Sequence, residues 1–263
     1  MLLNEDLEKI EYALNIAKET VSKFTSGRIE AALKADGDPV TAADTEADKV
    51  LRGILCAESE GWLSEETVDD VTRLEKKRVW IVDPLDGTRE FVEGIDEWCI
   101  SIGLFEGGEV VAAGICNPAT DQLFLGSRQT GVTLNGREVR VSNKNDLRGA
   151  KILASRSEVK RREWDRFMDG PFTVIPCGSV AYKLAQVSAG LADATFTLVP
   201  KNEWDIAAGV LLVEAAGGKV MDKDGGRLTF NRQETLVSGL VASGPLLFDQ
   251  LNDLLGIRRQ IEG

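Results

Sequence analysis

The sequence predicts a protein of the α+β or α/β class: two helices, then a strand-rich stretch, then strands alternating with helices. Three observations carry that expectation. From Glu5 to Lys23, Leu7, Ile10, Ala13, Leu14, Ile16 and Ala17 recur at helical spacing, and Thr45 to Cys56 reads as a second helix. From Val79 to Val141 the texture is that of strands, largely antiparallel: Val79–Val82, Trp98–Phe105, Val110–Cys116, Gln122–Gly126 and Val132–Val141. Gly107-Gly108 and, more strongly, Asn135-Gly136 read as hairpin turns between them. Beyond Asp146 strands and helices alternate, the rhythm of an α/β half. Strand Lys151–Ser155, a helix near Val159–Met168, strand Phe172–Pro176 and helix Ser179–Ala189 come first. Strand Ala192–Leu198, helix Asp205–Ala216, strands Lys219–Met221 and Leu236–Ala242, and a helix near Leu246–Leu255 follow. The polar stretch Asn143–Gly149 has no apolar pattern, which divides residues 1–146 from residues 147–263.

The chemistry concentrates at Asp83-Pro84-Leu85-Asp86-Gly87-Thr88, directly behind the apolar run Val79-Trp80-Ile81-Val82. Pro84 lacks an N–H and has a fixed φ, so the strand ladder is expected to stop there and the chain to turn. Two carboxylates so close in sequence repel unless a cation lies between them, and hard oxygen ligands suit Mg²⁺. An acidic turn is the plain alternative, since Asp, Pro and Gly are turn residues. Further acids occur in Gly61-Trp62-Leu63-Ser64-Glu65-Glu66, in Pro39-Val40-Thr41-Ala42-Ala43-Asp44 and in Glu203-Trp204-Asp205. Taken singly, Asp44 and Asp205 also suit helix N-caps, and Glu65 is an ordinary surface acid.

The strings PVTAAD, LSEE, DPLDGTREF and EWDIAAG, in this order, resemble the signature of the inositol monophosphatase family. This superfamily of Mg²⁺-dependent, lithium-sensitive phosphatases also holds 3'(2'),5'-bisphosphate nucleotidases and fructose-1,6-bisphosphatases. The resemblance runs from about Asp38 to about Gly244 and implies a layered α-β-α-β-α sandwich of the sugar phosphatase type. It implies two or three Mg²⁺ ions held by Glu65, Asp83, Asp86, Asp205 and the backbone carbonyl of Leu85, with Asp83 bridging two of them. It also implies that Thr88 and Asp44 orient and deprotonate the attacking water. A threonine hydroxyl is a poor base alone, but bonded to a carboxylate it can relay a proton. Gly87 and Thr88 open a short helix, Thr88 to Glu93, whose free N–H groups suit phosphate.

On the substrate side the resemblance points to Gly87, Thr88, Gly178, Ser179, Lys183, Lys201 and Glu203. Lys201-Asn202-Glu203-Trp204-Asp205 and Leu228-Thr229-Phe230-Asn231 look more like the bacterial bisphosphate nucleotidases. Several of those carry a lysine four residues after the glycine of the Gly178 turn, where this chain has Tyr182, with Lys183 one place later. Inositol monophosphatases place an acid seven residues before the metal aspartate, and that position here is Leu198. Nucleotidase activity is favoured, with inositol monophosphatase or fructose-1,6-bisphosphatase activity as alternatives. A catalytically dead metal- or phosphate-binding regulator and a cation-binding structural module are the readings from other classes.

Composition narrows the field further. The 263-residue chain carries a net charge of −12, which argues against a nucleic-acid partner, since phosphate backbones need a basic face. It has no histidine, which removes Ser-His-Asp and Cys-His catalysis and His-ligated zinc. Cys56, Cys99, Cys116 and Cys177 are widely spaced beside apolar runs and read as reduced core thiols. No apolar run approaches the roughly 20 residues of a membrane span, and Met1–Glu8 lacks the pattern of a secretory signal. The expectation is a cytoplasmic enzyme acting on a small phosphorylated molecule, with a homodimer implied by the resemblance.

Overall fold

In a computed structural model, residues 2–34 and 39–257 are described. Met1 and Asp38, where the signal and resemblance readings begin, lie outside the described residues. The chain opens with α1 (Leu2–Val21), the two-residue strands β1 (Ala32–Leu33) and β2 (Pro39–Val40), and α2 (Ala42–Leu55). Next come β3 (Gly61–Ser64), a 3₁₀ turn at Val71–Glu75, β4 (Arg78–Asp86) and α3 (Thr88–Glu93). The strands β5 (Cys99–Glu106), β6 (Glu109–Asn117), β7 (Gln122–Ser127), β8 (Gly131–Leu134) and β9 (Arg137–Val139) complete the first half. The second half contains β10 (Lys151–Ser155), α4 (Arg156–Lys160), α5 (Asp165–Met168), β11 (Thr173–Cys177), α6 (Val180–Ser188) and β12 (Ala194–Thr197). It ends with β13 (Lys201–Asn202), α7 (Glu203–Ala215), β14 (Lys219–Asp222), β15 (Leu236–Val237), β16 (Leu240–Ser243) and α8 (Phe248–Leu255).

Two large sheets organise these elements. β3 to β9 form a seven-stranded sheet in chain order, antiparallel throughout except that β3 and β4 run parallel. The second sheet has five strands in the order β11-β10-β12-β16-β14, with β16 antiparallel to its neighbours. Alternation along each strand sends side chains to opposite faces. In β4, Trp80 and Val82 join the cluster under α1 and α2, while Val79 and Ile81 join the cluster under α7. In the second sheet, Leu153, Leu240 and Ala242 face that same middle cluster, whereas Ile152, Phe196 and Val241 face a third cluster with Trp164, Phe167 and Phe248. Three apolar clusters between five layers give the α-β-α-β-α sandwich.

The helices show why the layers close. α1 buries Ile10, Ala13, Leu14, Ala17 and Val21, one stripe at helical spacing. Gly114 of β6 lets that stripe come close, since a Cβ there would meet Ile10 Cγ2 at 2.5 Å. α7 buries every residue from Ile206 to Val213, apolar all round, as a helix sandwiched between two sheets must be. α6 lies against it, with a Cβ on Gly209 reaching Leu184 Cβ at 2.5 Å.

Local details differ from the sequence expectation for identifiable reasons. The ladder does not end at Pro84: β4 continues to Asp86 through a register shift between Asp83 and Asp86, where the bulge asks no ladder bond of Pro84. Thr41, not a later residue, caps α2, and Asp44 sits at N3 of a capping box. α7 likewise starts at Glu203 with Asn202 as N-cap, which puts Asp205 at N3 rather than at the cap. The expected turn at Asn135-Gly136 is present, both residues having positive φ (50° and 75°), and it divides the expected strand Val132–Val141 into β8 and β9. The expected helix at Val159–Met168 is split into α4 and α5 around Arg162 (φ 66°). The expected strand Leu236–Ala242 is split at Gly239 (φ 131°), where a Cβ would strike the Thr197 carbonyl at 2.5 Å. β3 is a strand of only four residues, all buried, too short for its sequence to show an alternating pattern.

Candidate active site

The C-terminal ends of β3, β4 and β10 and the N-terminal ends of α3, α6 and α7 converge on one cavity of about 290 Å³. Its lining includes Glu65, Leu85, Asp86, Gly87, Thr88, Gly178, Ser179, Lys183, Lys201 and Asp205, so most residues expected from sequence meet there. Carboxylate oxygens of Glu65, Asp83 and Asp205 lie within 4.8 Å of one another. Asp83 is 1% exposed; its Oδ1 accepts from the Leu85 amide at 3.0 Å, and its buried Oδ2 has no partner among the described residues.

An unpartnered carboxylate oxygen among other acids is costly unless a cation joins it. Burial, then the charges of Glu65, Asp86 and Asp205, push the Asp83 carboxyl well above its usual range. Burial and the charges of Asp86 and Glu65 push Asp205 up to about 8. Glu65 is also raised, by burial first, although the Lys34 ammonium 2.6 Å from its Oε1 opposes the shift. A hard cation relieves all three at once, so the donor set fits Mg²⁺ or a similar ion.

Beside this strained cluster stands a satisfied pair. Thr88 Oγ1 donates to Asp44 Oδ1 at 2.7 Å and lies 3.0 Å from the Leu85 carbonyl oxygen. Asp44 Oδ2 accepts from the Thr41 amide (2.8 Å) and the Thr41 hydroxyl (2.6 Å). The capping box of α2 thus fixes the carboxylate that holds Thr88. Gly87 has φ 96°, and a Cβ there would press on the Glu97 carbonyl at 3.0 Å, so only glycine lets α3 start at this point.

Asp86 belongs to both halves of the chain. Its Oδ2 accepts from Ser179 Oγ at 2.6 Å and from the Ala181 amide at 2.7 Å, placing the carboxylate on the N-terminus of α6. Ser179 adopts φ 46°, a left-handed backbone unusual for serine, beside Gly178, where a Cβ would strike Glu90 Cγ at 2.4 Å. Lys183 reaches back under this turn and donates to the Ser179 carbonyl at 3.0 Å. It lines the cavity while only 3% exposed.

One expectation is corrected. Glu203 does not line the cavity: it is fully buried, and its carboxylate accepts from the Asn231 and Arg232 amides at 2.6 and 3.0 Å. At N1 of α7 its side chain points along the helix start, away from the face that carries Asp205 into the site. Sequence reasoning also missed Lys34, whose Nζ joins Glu65 and Glu66, and the cavity residues Arg89, Ser155, Ser157 and Arg161. Nothing in their local sequence distinguishes them from ordinary surface groups.

The family model described as the inositol monophosphatase family matches residues 3–254. The chain belongs to the inositol monophosphatase family. It is 36% identical over 225 residues to an inositol-1-monophosphatase of Mesorhizobium japonicum, with 82% of each chain covered. Among solved structures, the extragenic suppressor protein suhB of Bartonella henselae matches with TM-score 0.81 and 29% identity over 95% of this chain and 98% of that one. CysQ of Bacteroides thetaiotaomicron matches with TM-score 0.77 and 26% identity over 91% and 97%. As an inositol monophosphatase family member, the protein is a metal-dependent phosphoric monoester hydrolase of a small phosphorylated substrate. No helix among the described residues is long and apolar enough to cross a membrane.

Proposed function

We propose that the protein is a Mg²⁺-dependent phosphatase of small bis-phosphorylated metabolites, of the 3'(2'),5'-bisphosphate nucleotidase type, converting 3'-phosphoadenosine 5'-phosphate to AMP. The observation that carries this is the mixed charge of the cavity lining. Alongside the acids Glu65, Asp86 and Asp205 it carries four cationic residues, Arg89, Arg161, Lys183 and Lys201. A single phosphate can be held by cations on the acid cluster, but a second one needs charge supplied by the chain itself. Leu198, at the position where an inositol phosphatase would use an acid, packs partly buried against the third core cluster.

Glu65, Asp83, Asp86, Asp205 and the Leu85 carbonyl would hold two or three Mg²⁺ ions. When bound, Mg²⁺ supplies charge to the phosphoryl oxygens and acidifies the attacking water. The proton path is the chain's own: as Thr88 Oγ1 takes a proton from water, its hydroxyl proton passes to Asp44 Oδ1. Gly87, Gly178 and Ser179 shape the phosphate end, and Lys183 and Lys201 add positive charge beside it. On the family resemblance, the enzyme is a cytoplasmic homodimer inhibited by Li⁺ at fixed Mg²⁺.

Phosphate release from 3'-phosphoadenosine 5'-phosphate, inositol 1-phosphate, fructose 1,6-bisphosphate and NADP, each with and without Mg²⁺, ranks the candidates. The nucleotide is expected to give the highest kcat/KM, and Arg161→Ala to raise KM for bisphosphates while leaving monophosphates unchanged. A higher kcat/KM for inositol 1-phosphate would replace the nucleotidase with an inositol monophosphatase.

A further inference from the structure

Glu65 and Asp205 come from different halves of the chain, yet their carboxylates meet with Asp83 within 4.8 Å. Repulsion between buried acids works against that spacing. A hydrogen-bonded bridge outside the cavity ties the two segments together. Arg73, eight residues beyond Glu65, is 2% exposed and uses its guanidinium fork on two fronts. Nε and Nη2 hold Asp69 at 2.7 and 2.9 Å, which fixes the segment leaving Glu65 and Glu66. Nη1 donates to Asn231 Oδ1 at 2.5 Å, and Nη2 to the Arg232 carbonyl at 2.8 Å.

The same two residues then turn their amides the other way, onto Glu203, at 2.6 and 3.0 Å. The Glu203 amide in turn donates to the Thr235 carbonyl at 3.0 Å, and β13 pairs with β15 just before it. Glu203 opens α7, two residues ahead of Asp205. Asn231 has φ 57°, the left-handed backbone that lets one residue present its side chain to Arg73 and its amide to Glu203. Among the described residues these groups leave no unpartnered buried atom.

We infer that the Arg73–Asn231–Glu203 bridge is a positioning device for the metal centre, setting the distance between its Glu65 side and its Asp205 side and hence its affinity for metal. The inference rests on the acid cluster being the metal site, but not on which phosphate ester is the substrate. None of the three residues lines the cavity, so substrate recognition at saturating metal is left alone. Arg232 contributes its backbone to the bridge, while its guanidinium makes a 3.4 Å contact with Glu203 and donates to the Leu236 carbonyl at 2.5 Å.

The test is calorimetric titration of Mg²⁺, and of Mn²⁺ as a second probe, into the full chain without substrate, beside thermal melts. Glu203→Gln puts an amide N–H₂ against a backbone N–H, and Asn231→Gly removes the side-chain acceptor while keeping the left-handed φ within reach. Both are expected to weaken metal binding by about 10–100-fold, the range found when groups supporting metal ligands are lost. KM measured at saturating metal should not move. Trp164→Phe, which removes the buried bond to Glu158 in the third core, serves as the control for lost stability. It should lower the melting temperature with metal affinity unchanged. Wild-type affinity in a folded Asn231→Gly or Glu203→Gln overturns the positioning role, as does an equal loss in Trp164→Phe. Failure of the wild-type chain to bind either metal would instead remove the metal site itself.

Discussion

Asp44 and Asp83 are each 1% exposed, and both stand directly behind residues that line the cavity, Asp44 bonded to Thr88 and Asp83 to the Leu85 amide, yet they are opposite cases. Asp44 has both oxygens engaged, by Thr41 and Thr88, and its bonds also start a helix. Asp83 has one amide on Oδ1 and, among the described residues, nothing on Oδ2. The first carboxylate is stabilised by the fold before any substrate arrives. The second is stored at a cost, among acids that repel it, and is completed only by a cation. The contrast separates a proton-handling pair that folding itself secures from a receptor that folding leaves unfinished.

Replacing Asp83 should break the comparison most severely. Asp83→Asn is expected to lower kcat by about 10⁴-fold, the several kcal/mol that a metal contributes to phosphoryl transfer. The same change should raise the melting temperature of the metal-free protein, because it deletes a buried charge from an acid cluster. A metal-free melt that falls instead would mean that Asp83 is satisfied in a way its geometry does not show.

Thr88→Ala and Asp44→Asn should each lower kcat by about 10²–10⁴-fold, with substrate still bound. Here stability should drop, not rise, because each change removes a made hydrogen bond. In the double variant the losses should be far from additive, since the two residues act as one unit. A double variant showing the full product of the single effects would separate the residues and end the relay.

Asp205 sharpens the contrast in a third way, through pH. Its folded-state value is pushed up to about 8, whereas an unfolded aspartate titrates near about 3.9. The stability contributed by the raised group is fully present below about pH 4 and is lost as pH rises toward 8. Metal replaces the proton, so the rise in melting temperature on adding Mg²⁺ should be small near pH 5 and grow steadily to about pH 8. A rise that stays flat across that window would take Asp205 out of the metal site.

The smallest effect expected is the cap contribution of Asp205. It accepts from the Asn202 amide at 2.9 Å, so Asp205→Ala should cost about 0.5–2 kcal/mol of stability in the metal-loaded protein, beyond its effect on Mg²⁺ activation. Glu or Asn at this position would divide the two roles: Asn can keep the backbone bond without the charge. Mg²⁺ activation curves measured beside melts for Asp205→Asn and Asp205→Ala give the split directly.

How much of this was legible in the sequence depended on the range of the interaction. The acid-bearing corner at Asp83 to Thr88 and the Asn135-Gly136 turn are local, and both appear where the residues place them. α7 was legible as a helix because of its unbroken apolar run, and its burial on all sides follows from the same run. Helix starts were misread by a few residues because Thr41 and Asn202 do the capping while the more conspicuous aspartates sit at N3. Glu203 could not be separated from Asp205 by type or spacing. What distinguishes them is a loop some thirty residues downstream, whose amides claim one carboxylate and leave the other to the cavity. Lys34 is illegible for a similar reason, because only the fold brings it beside Glu65.

The middle layer of helices has a consequence for how the molecule is made. The face of the first sheet that carries Val79, Ile81, Ile115 and Phe124 is covered by α7, which begins at Glu203. During synthesis, which runs at about 5–20 residues per second, that oily face is complete long before its cover emerges. The nascent sheet therefore passes through a vulnerable interval in which chaperones or its own neighbours can claim it. The arrival that ends this exposure is the same one that delivers Asp205, so burial of the sheet and assembly of the catalytic centre share a single moment in the life of the chain.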